Sequence, residues 1–203
     1  MLLPVSCPVC GGRGSAPCAA CAARLRPAPE LPLPAGVEGC RALLSYEGVG
    51  RELVARLKYR NARASVGPLA GAMARLVDRA EVDVVTWAPT TAARRRERGF
   101  DQARLLARAV ARRLGRPCRS LLTRWPGPAQ TGRTLEARRA GPAFAARGRV
   151  PPRVLIVDDV VTSGATVSAA ATALRRGGAE VVVVLAAART PLKAAPVPSD
   201  PAR

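Results

Sequence analysis

The sequence predicts an α/β protein: a parallel sheet flanked by helices, with a small N-terminal metal-binding module. Three observations carry this expectation. Val154–Val157 and Val181–Leu185 are continuous apolar runs, the pattern of strands buried on both faces, as in a parallel sheet covered by helices. Between them Val167, Ala170, Ala171 and Leu174 recur at helical spacing, and Gly177–Gly178 close the helix, so the segment reads as strand–helix–strand. At the other end, Cys7-x2-Cys10 and Cys18-x2-Cys21 form two knuckles within a segment too short to fold on apolar burial.

Taken in order, the N-terminal segment "CPVCGGRGSAPCAAC" leads into "RPAPELPLPAG", whose prolines predict an extended, semi-rigid linker. A boundary falls near Gly36–Gly39, giving residues 1–38 as module and linker and 39–190 as the main domain. A strand is expected over Cys40–Tyr46, then helices around Arg51–Tyr59 and Pro68–Ala80. "VDVVTWAP" (82–89) reads as a strand running into the loop "TTAARRRERG". Phe100, Ala103, Leu106, Val110 and Leu114 share one face of a helix over 101–114, stopped by Gly115. Pro117–Leu122 is expected to be a short strand. Thr123–Val150 has no clear period and many Arg, Gly and Pro, which reads as a long functional loop. The proline-rich tail, 191–203, is expected to be disordered.

Composition narrows the function classes. No apolar run approaches the ~18 residues of a membrane span, and "MLLPVSCPVCGG" lacks the pattern of a secretory leader. A cytoplasmic location with reduced thiols is therefore expected. The formal net charge is +19, from 33 basic and 14 acidic residues. This points to polyanions such as nucleic acid or phosphorylated substrates. Coding bias toward Arg, Ala, Gly and Pro accounts for Arg over Lys, but not for the shortage of acids. The chain has no histidine, which removes His-based triads and imidazole metal ligands.

The chemistry concentrates in "VLIVDDVVTSGAT" (154–166). Ligands of open parallel sheets sit beyond the carboxyl ends of the strands, where Asp158 and Asp159 stand side by side. Thr162, Ser163, Gly164, Ala165 and Thr166 then lead into a helix whose first amides and dipole favour an anion. One short segment thus offers acceptors for ribose hydroxyls or a cation and donors for a phosphate, the combination a sugar phosphate needs. The bland alternative is an acidic strand end followed by a capped helix. For Cys7, Cys10, Cys18 and Cys21, zinc is favoured over two disulfides or free thiols in a reducing compartment. Four thiolates leave no open position, so such a site is structural. Cys40 and Cys118 read as small buried residues.

These residues bring a family into view. Val154–Thr166 resembles the phosphoribosyl pyrophosphate (PRPP) signature of type I phosphoribosyltransferases. "RRRERGFDQARLLA" (94–107) and "QTGRTLEARRAGPAF" (130–144), with the four cysteines, resemble the competence-protein F (ComF) family over about residues 5–190. Two departures stand out: Ala88-Pro89-Thr90 lacks the usual histidine, and Arg133 replaces an apolar residue.

The resemblance implies a type I phosphoribosyltransferase-like sheet and an N-terminal zinc ribbon. It implies PRPP bound with Mg²⁺, with Asp158 and Asp159 as the catalytic acids and Val160, Val161, Thr162, Ser163, Gly164, Ala165 and Thr166 as the phosphate loop. Residues 88–99 would form a pyrophosphate loop with Arg94, Arg95, Arg96 and Arg98 as anion-holding candidates. Gln130 to Arg139 would form a hood, with Gln130, Arg138 and Arg139 reaching toward the phosphates. Phe100 and Gln102 read as packing residues. The resemblance also implies a part in DNA uptake, with single-stranded DNA and uptake proteins as partners. It leaves open a homo-oligomer, and equally a scaffold that handles single-stranded DNA, or serves as an interaction module, without transferase turnover.

Overall fold

The computed structural model describes residues 6–57, 65–125 and 142–192. Four strands form one parallel sheet: β1 (Gly39–Ser45), β2 (Val84–Trp87), β5 (Arg153–Val161) and β6 (Val181–Arg189), in the order β1-β6-β5-β2. Helices α2 (Gly48–Arg56), α3 (Val66–Ala74) and α5 (Gln102–Leu114) cover one face, and α6 (Ala165–Arg176) covers the other. The remaining elements are α1 (Ala19–Ala22), α4 (Ala92–Arg98) and a two-stranded antiparallel ribbon of β3 (Leu122–Arg124) and β4 (Phe144–Ala146). No helix among the described residues is long and apolar enough to cross a membrane.

The side chains of β5 alternate as a pleated strand requires. Leu155 and Val157 enter a core with Leu53, Val54, Met73, Leu106 and Val110. Val154 and Ile156 enter the opposite core with Val167, Ala170 and Leu174. The four residues of the run are at most 1% exposed, so burial on both faces is what makes the run uniformly apolar. Register at the lower end of the sheet is held by Arg153. Its Nη2 reaches Asp83 Oδ1 at 2.6 Å and its amide donates to Asp83 Oδ2 at 3.0 Å. That pairing draws the Asp83 carboxyl below its ordinary range.

α5 begins and ends as the sequence predicts. Asp101 caps it by accepting from the Arg104 amide, and Gly115 terminates it at φ +61°, a left-handed conformation that suits glycine. Its face of Ala103, Leu106, Val110 and Leu114 is buried, whereas Phe100 is half-buried.

Several expectations need correction. The strand placed at 117–122 begins at Leu122, and Cys118 contributes only an isolated bridge to Val85. The arginine-rich segment after β2 is not all loop, because 92–98 is helical. Alanine, arginine and glutamate all have high helix propensity, and this outweighs their charge. The described ends of the 123–150 stretch pair as β3 and β4. Helices α2 and α3 each start two or three residues earlier than expected, and 79–81 forms a separate 3₁₀ turn. Cys40 and Cys118 are half-buried rather than fully buried, enough to push both thiols up. The tail from 193 onward lies outside the described residues.

Close packing at the end of α6 makes a specific prediction. A methyl group on Gly177 would lie 2.6 Å from Val150 Cγ2 and 2.7 Å from Ala146 Cβ, closer than any real contact. Gly177→Ala is expected to destabilise by about 1–3 kcal/mol through overpacking. Thermal melting should show the transition falling by roughly 2–4 °C per kcal/mol. An unchanged transition would mean that β4 and Val150 move aside freely.

Candidate functional site

A cleft of about 340 Å³ opens at the carboxyl ends of β2 and β5. β5 places Asp158 and Asp159 in its wall. The strand does not stop at Val157; it continues to Val161, because Asp158, Val160 and Val161 stay in register with Ala186, Ala188 and Arg189 of β6. The two acids are therefore part of the rigid sheet and not of a loop beyond it. Each carboxylate also turns back on the backbone: Asp158 Oδ1 accepts from the Asp159 amide at 2.8 Å, and Asp159 Oδ1 from the Val160 amide at 2.9 Å. One oxygen of each carboxylate is fixed in this way.

Asp158 is 9% exposed. Burial, followed by the neighbouring Asp159 charge, pushes its carboxyl well above the usual carboxylate range. A cation or a pair of hydroxyl donors in the cleft would relieve that penalty. The donor set is all oxygen and includes two carboxylates, which suits a hard divalent ion such as Mg²⁺.

Beyond Val161 the chain turns through Thr162 and Ser163, both exposed, to Gly164. This glycine stands at the N-cap of α6 with φ +78°. It carries no side chain to cap the helix. The Ser163 hydroxyl accepts from the Ala165 amide at 3.4 Å, and the Gly164 carbonyl accepts from the Ser168 amide. Val160, Thr162 and Thr166 line the cleft beside the two acids. Ser163, Gly164 and Ala165 stand outside its lining. Gly164 instead lies against Pro34 of the proline-rich linker, whose side chain would be 3.0 Å from a Cβ there.

The linker is seated on the sheet. Its Leu31 and Pro32 carbonyls accept from the Arg189 guanidinium at 3.2 and 2.5 Å, and Arg189 is only 6% exposed. The Gly36 carbonyl accepts from Arg175 Nε, and Arg175 also pairs with Glu38.

The opposite wall holds Ala88, Pro89 and Thr90 from the start of the expected pyrophosphate loop, and residues that the sequence does not mark as site residues: Tyr46, Asp101 and Arg124, with Phe100 and Gln102. Gln102 is buried, as a packing role requires, but it also borders the cleft. Asp101 reaches across the turn after β2: its Oδ2 accepts from the Thr90 amide at 3.2 Å. A capping aspartate before a helix is visible in sequence, but its reach to Thr90 is a tertiary fact. Arg95 and Arg96 are exposed on α4, and the backbone of the same helix carries Arg94 and Arg98. Neither Arg95 nor Arg96 lines the cleft. Gln130, Arg138 and Arg139 lie outside the described residues.

The second centre is the cysteine cluster. The Sγ atoms of Cys7, Cys10, Cys18 and Cys21 all lie within 4.8 Å of one another. Cys10 and Cys18 sulfurs are 3.7 Å apart, and the Cys18 amide points at Cys7 Sγ at 3.4 Å. Donation from the Cys18 and Cys10 amides pulls the Cys7 thiol down to about 6, while burial and the neighbouring thiols push Cys21 up to about 12. All six cysteines are free thiols. Four sulfurs converging on one point, with amides aimed at sulfur, can hold a zinc ion. Cys7 and Cys21 are buried with Val49 of α2, which ties the module to the main domain.

These features define a parallel α/β domain with a diacid cleft at one end of its sheet and a four-cysteine module beside it. Among solved structures, the allosteric regulatory enzyme of purine biosynthesis is similar at 23% identity and a TM-score of 0.44, over 63% of this chain and 26% of that one. The chain thus spans about a quarter of that enzyme's length. A purine phosphoribosyltransferase from Pyrococcus horikoshii Ot3 is similar at 16% identity and a TM-score of 0.40, over 66% of this chain and 93% of that one. No family model and no curated protein matches the chain.

Proposed function

We propose that the chain binds PRPP with Mg²⁺ in the cleft and acts as a ComF-type phosphoribosyltransferase. The observation that carries this reading is the pair Asp158–Asp159, fixed on β5 in one small cleft with Thr162 and Thr166. The carboxylates are placed to accept from vicinal ribose hydroxyls. Thr162 and Thr166, which line the cleft, would donate to the 5′-phosphate.

Transfer breaks the C1–O bond, releases pyrophosphate and leaves an oxocarbenium-like sugar for an acceptor to capture. Mg²⁺, when bound, neutralises charge on the pyrophosphate. The protein's own part is orientation and charge complementarity. Arg124, in the cleft wall, supplies positive charge toward the leaving group. A role in DNA uptake rests on the sequence resemblance, and a cytoplasmic location on the N-terminal sequence and the cysteine content. A structural zinc ion on Cys7, Cys10, Cys18 and Cys21 completes the assignment, with residues 1–38 as module and linker.

A second reading, favoured by the net charge of +19, is a protein that handles single-stranded DNA on the same scaffold without turnover. Pyrophosphate release from Mg²⁺–PRPP, screened against purine, pyrimidine and pyridine acceptors beside a DNA titration, separates the two. Release with one acceptor class is expected. PRPP binding without release supports a ligand-binding role only, and absence of PRPP binding rejects the proposal.

A further inference from the structure

Beside the diacid cleft lies a second, larger depression of about 580 Å³. The two share a wall of Pro89, Thr90, Phe100, Asp101 and Arg124. Its floor and far side come from other elements. α5 contributes Arg104 and Arg108, one helical turn apart and about 6 Å along the axis. Arg147 follows β4, and its Nε donates to the Thr123 hydroxyl at 2.5 Å. The Arg104 guanidinium lies over the Trp87 ring, 5.7 Å from its centroid, which limits its freedom.

Among the described residues the charge here is not compensated: Asp101 is the one acid in the lining, and both its oxygens are engaged, by the Arg104 and Thr90 amides. Arg104, Arg108 and Arg147 have no carboxylate within 4.0 Å among the described residues, whereas Arg41, Arg56, Arg153 and Arg175 each do. Converging guanidiniums repel one another, and a polyvalent anion relieves that repulsion. Their planar donor forks match phosphate oxygens.

We propose that this trench binds the phosphate groups of a second ligand, a phosphate ester held next to the diacid cleft. The site does not depend on the PRPP reading, because Arg104, Arg108 and Arg147 lie outside that cleft. Free nucleotides and single-stranded nucleic acid both present this chemistry.

The test uses the full-length protein and two probes: a fluorescein-labelled ten-residue oligothymidylate followed by anisotropy, and thymidine triphosphate followed by calorimetry. Arg104→Ala/Arg108→Ala/Arg147→Ala is expected to weaken binding roughly tenfold or more. It should also flatten the dependence of log K on log salt by about two phosphate contacts. The control Arg13→Ala/Arg24→Ala/Arg51→Ala removes the same charge from exposed positions elsewhere and should change affinity less than about twofold. Arg108→Glu, an exposed single reversal, guards against loss of fold and should act in the same direction. Tighter binding of the oligonucleotide assigns the trench to nucleic acid, and tighter binding of the triphosphate assigns it to a free nucleotide; either supports the proposal. Equal losses in the triple variant and its control, or no binding of either probe at low salt, overturn it.

Discussion

Asp158→Asn combined with Asp159→Asn is expected to abolish binding of Mg²⁺–PRPP, weakening it by roughly a hundredfold or more, because both anionic acceptors for the ribose and the cation are lost together. Calorimetry on the folded double variant is the measurement, and affinity equal to wild type would remove the basis for a ribose-phosphate site.

The single change Asp158→Asn carries an opposite effect on stability. The folded-state carboxyl sits well above the ordinary value while the unfolded one does not. As pH rises past the unfolded pKa, the unfolded chain loses its proton first. Stability therefore falls with rising pH through the window up to the folded pKa, and below that window the penalty vanishes. Asparagine is always neutral and keeps an oxygen to accept from the Asp159 amide. Asp158→Asn should accordingly melt higher than wild type at pH 8, by roughly 2–4 °C per kcal/mol relieved, and converge with it near pH 3. Gain in stability with loss of ligand is the signature of a residue kept for function. A variant that melts lower than wild type at pH 8 would show that Asp158 is a structural acid.

The second large effect concerns metal. Freshly purified, reduced protein is expected to hold one zinc ion per chain, and Cys7→Ser to lose it. A four-sulfur site supplies most of the folding energy of so small a unit, on the order of 10 kcal/mol in comparable modules. Cys7 packs against Cys21 and Val49, so its loss should loosen residues 6–26 and leave the sheet folded. Elemental analysis gives the stoichiometry, and limited proteolysis should cut first within the module of Cys7→Ser or of chelated protein. Zinc-free protein with an equally protected N-terminus would refute the assignment.

How much of this was visible in the residues varies with the range of the interaction. Strand–helix–strand over 153–189 announces itself, because burial on both faces forces an apolar run and α6 repeats at the helical period. The end of β5 does not, because Asp158 and Asp159 break the apolar pattern while Asp158, Val160 and Val161 stay paired with β6. Helix α4 is masked by its charge, which suggests a loop although each residue type favours a helix. The cysteine spacing alone is enough to place four sulfurs together. Tyr46 and Arg124 carry no local signal at all. They become cleft residues only because the end of β1 and the separate β3–β4 ribbon lie beside the ends of β2 and β5.

The seat of the proline linker has a practical corollary. Trimming the polypeptide back to residue 39, so as to isolate the sheet, would strip Pro34 from Gly164 and the Leu31 and Pro32 carbonyls from the Arg189 guanidinium. The shortened molecule would then misreport the turn from Thr162 to Thr166. Arg189 thus makes the opening segment a structural neighbour of the cleft rather than a detachable appendage.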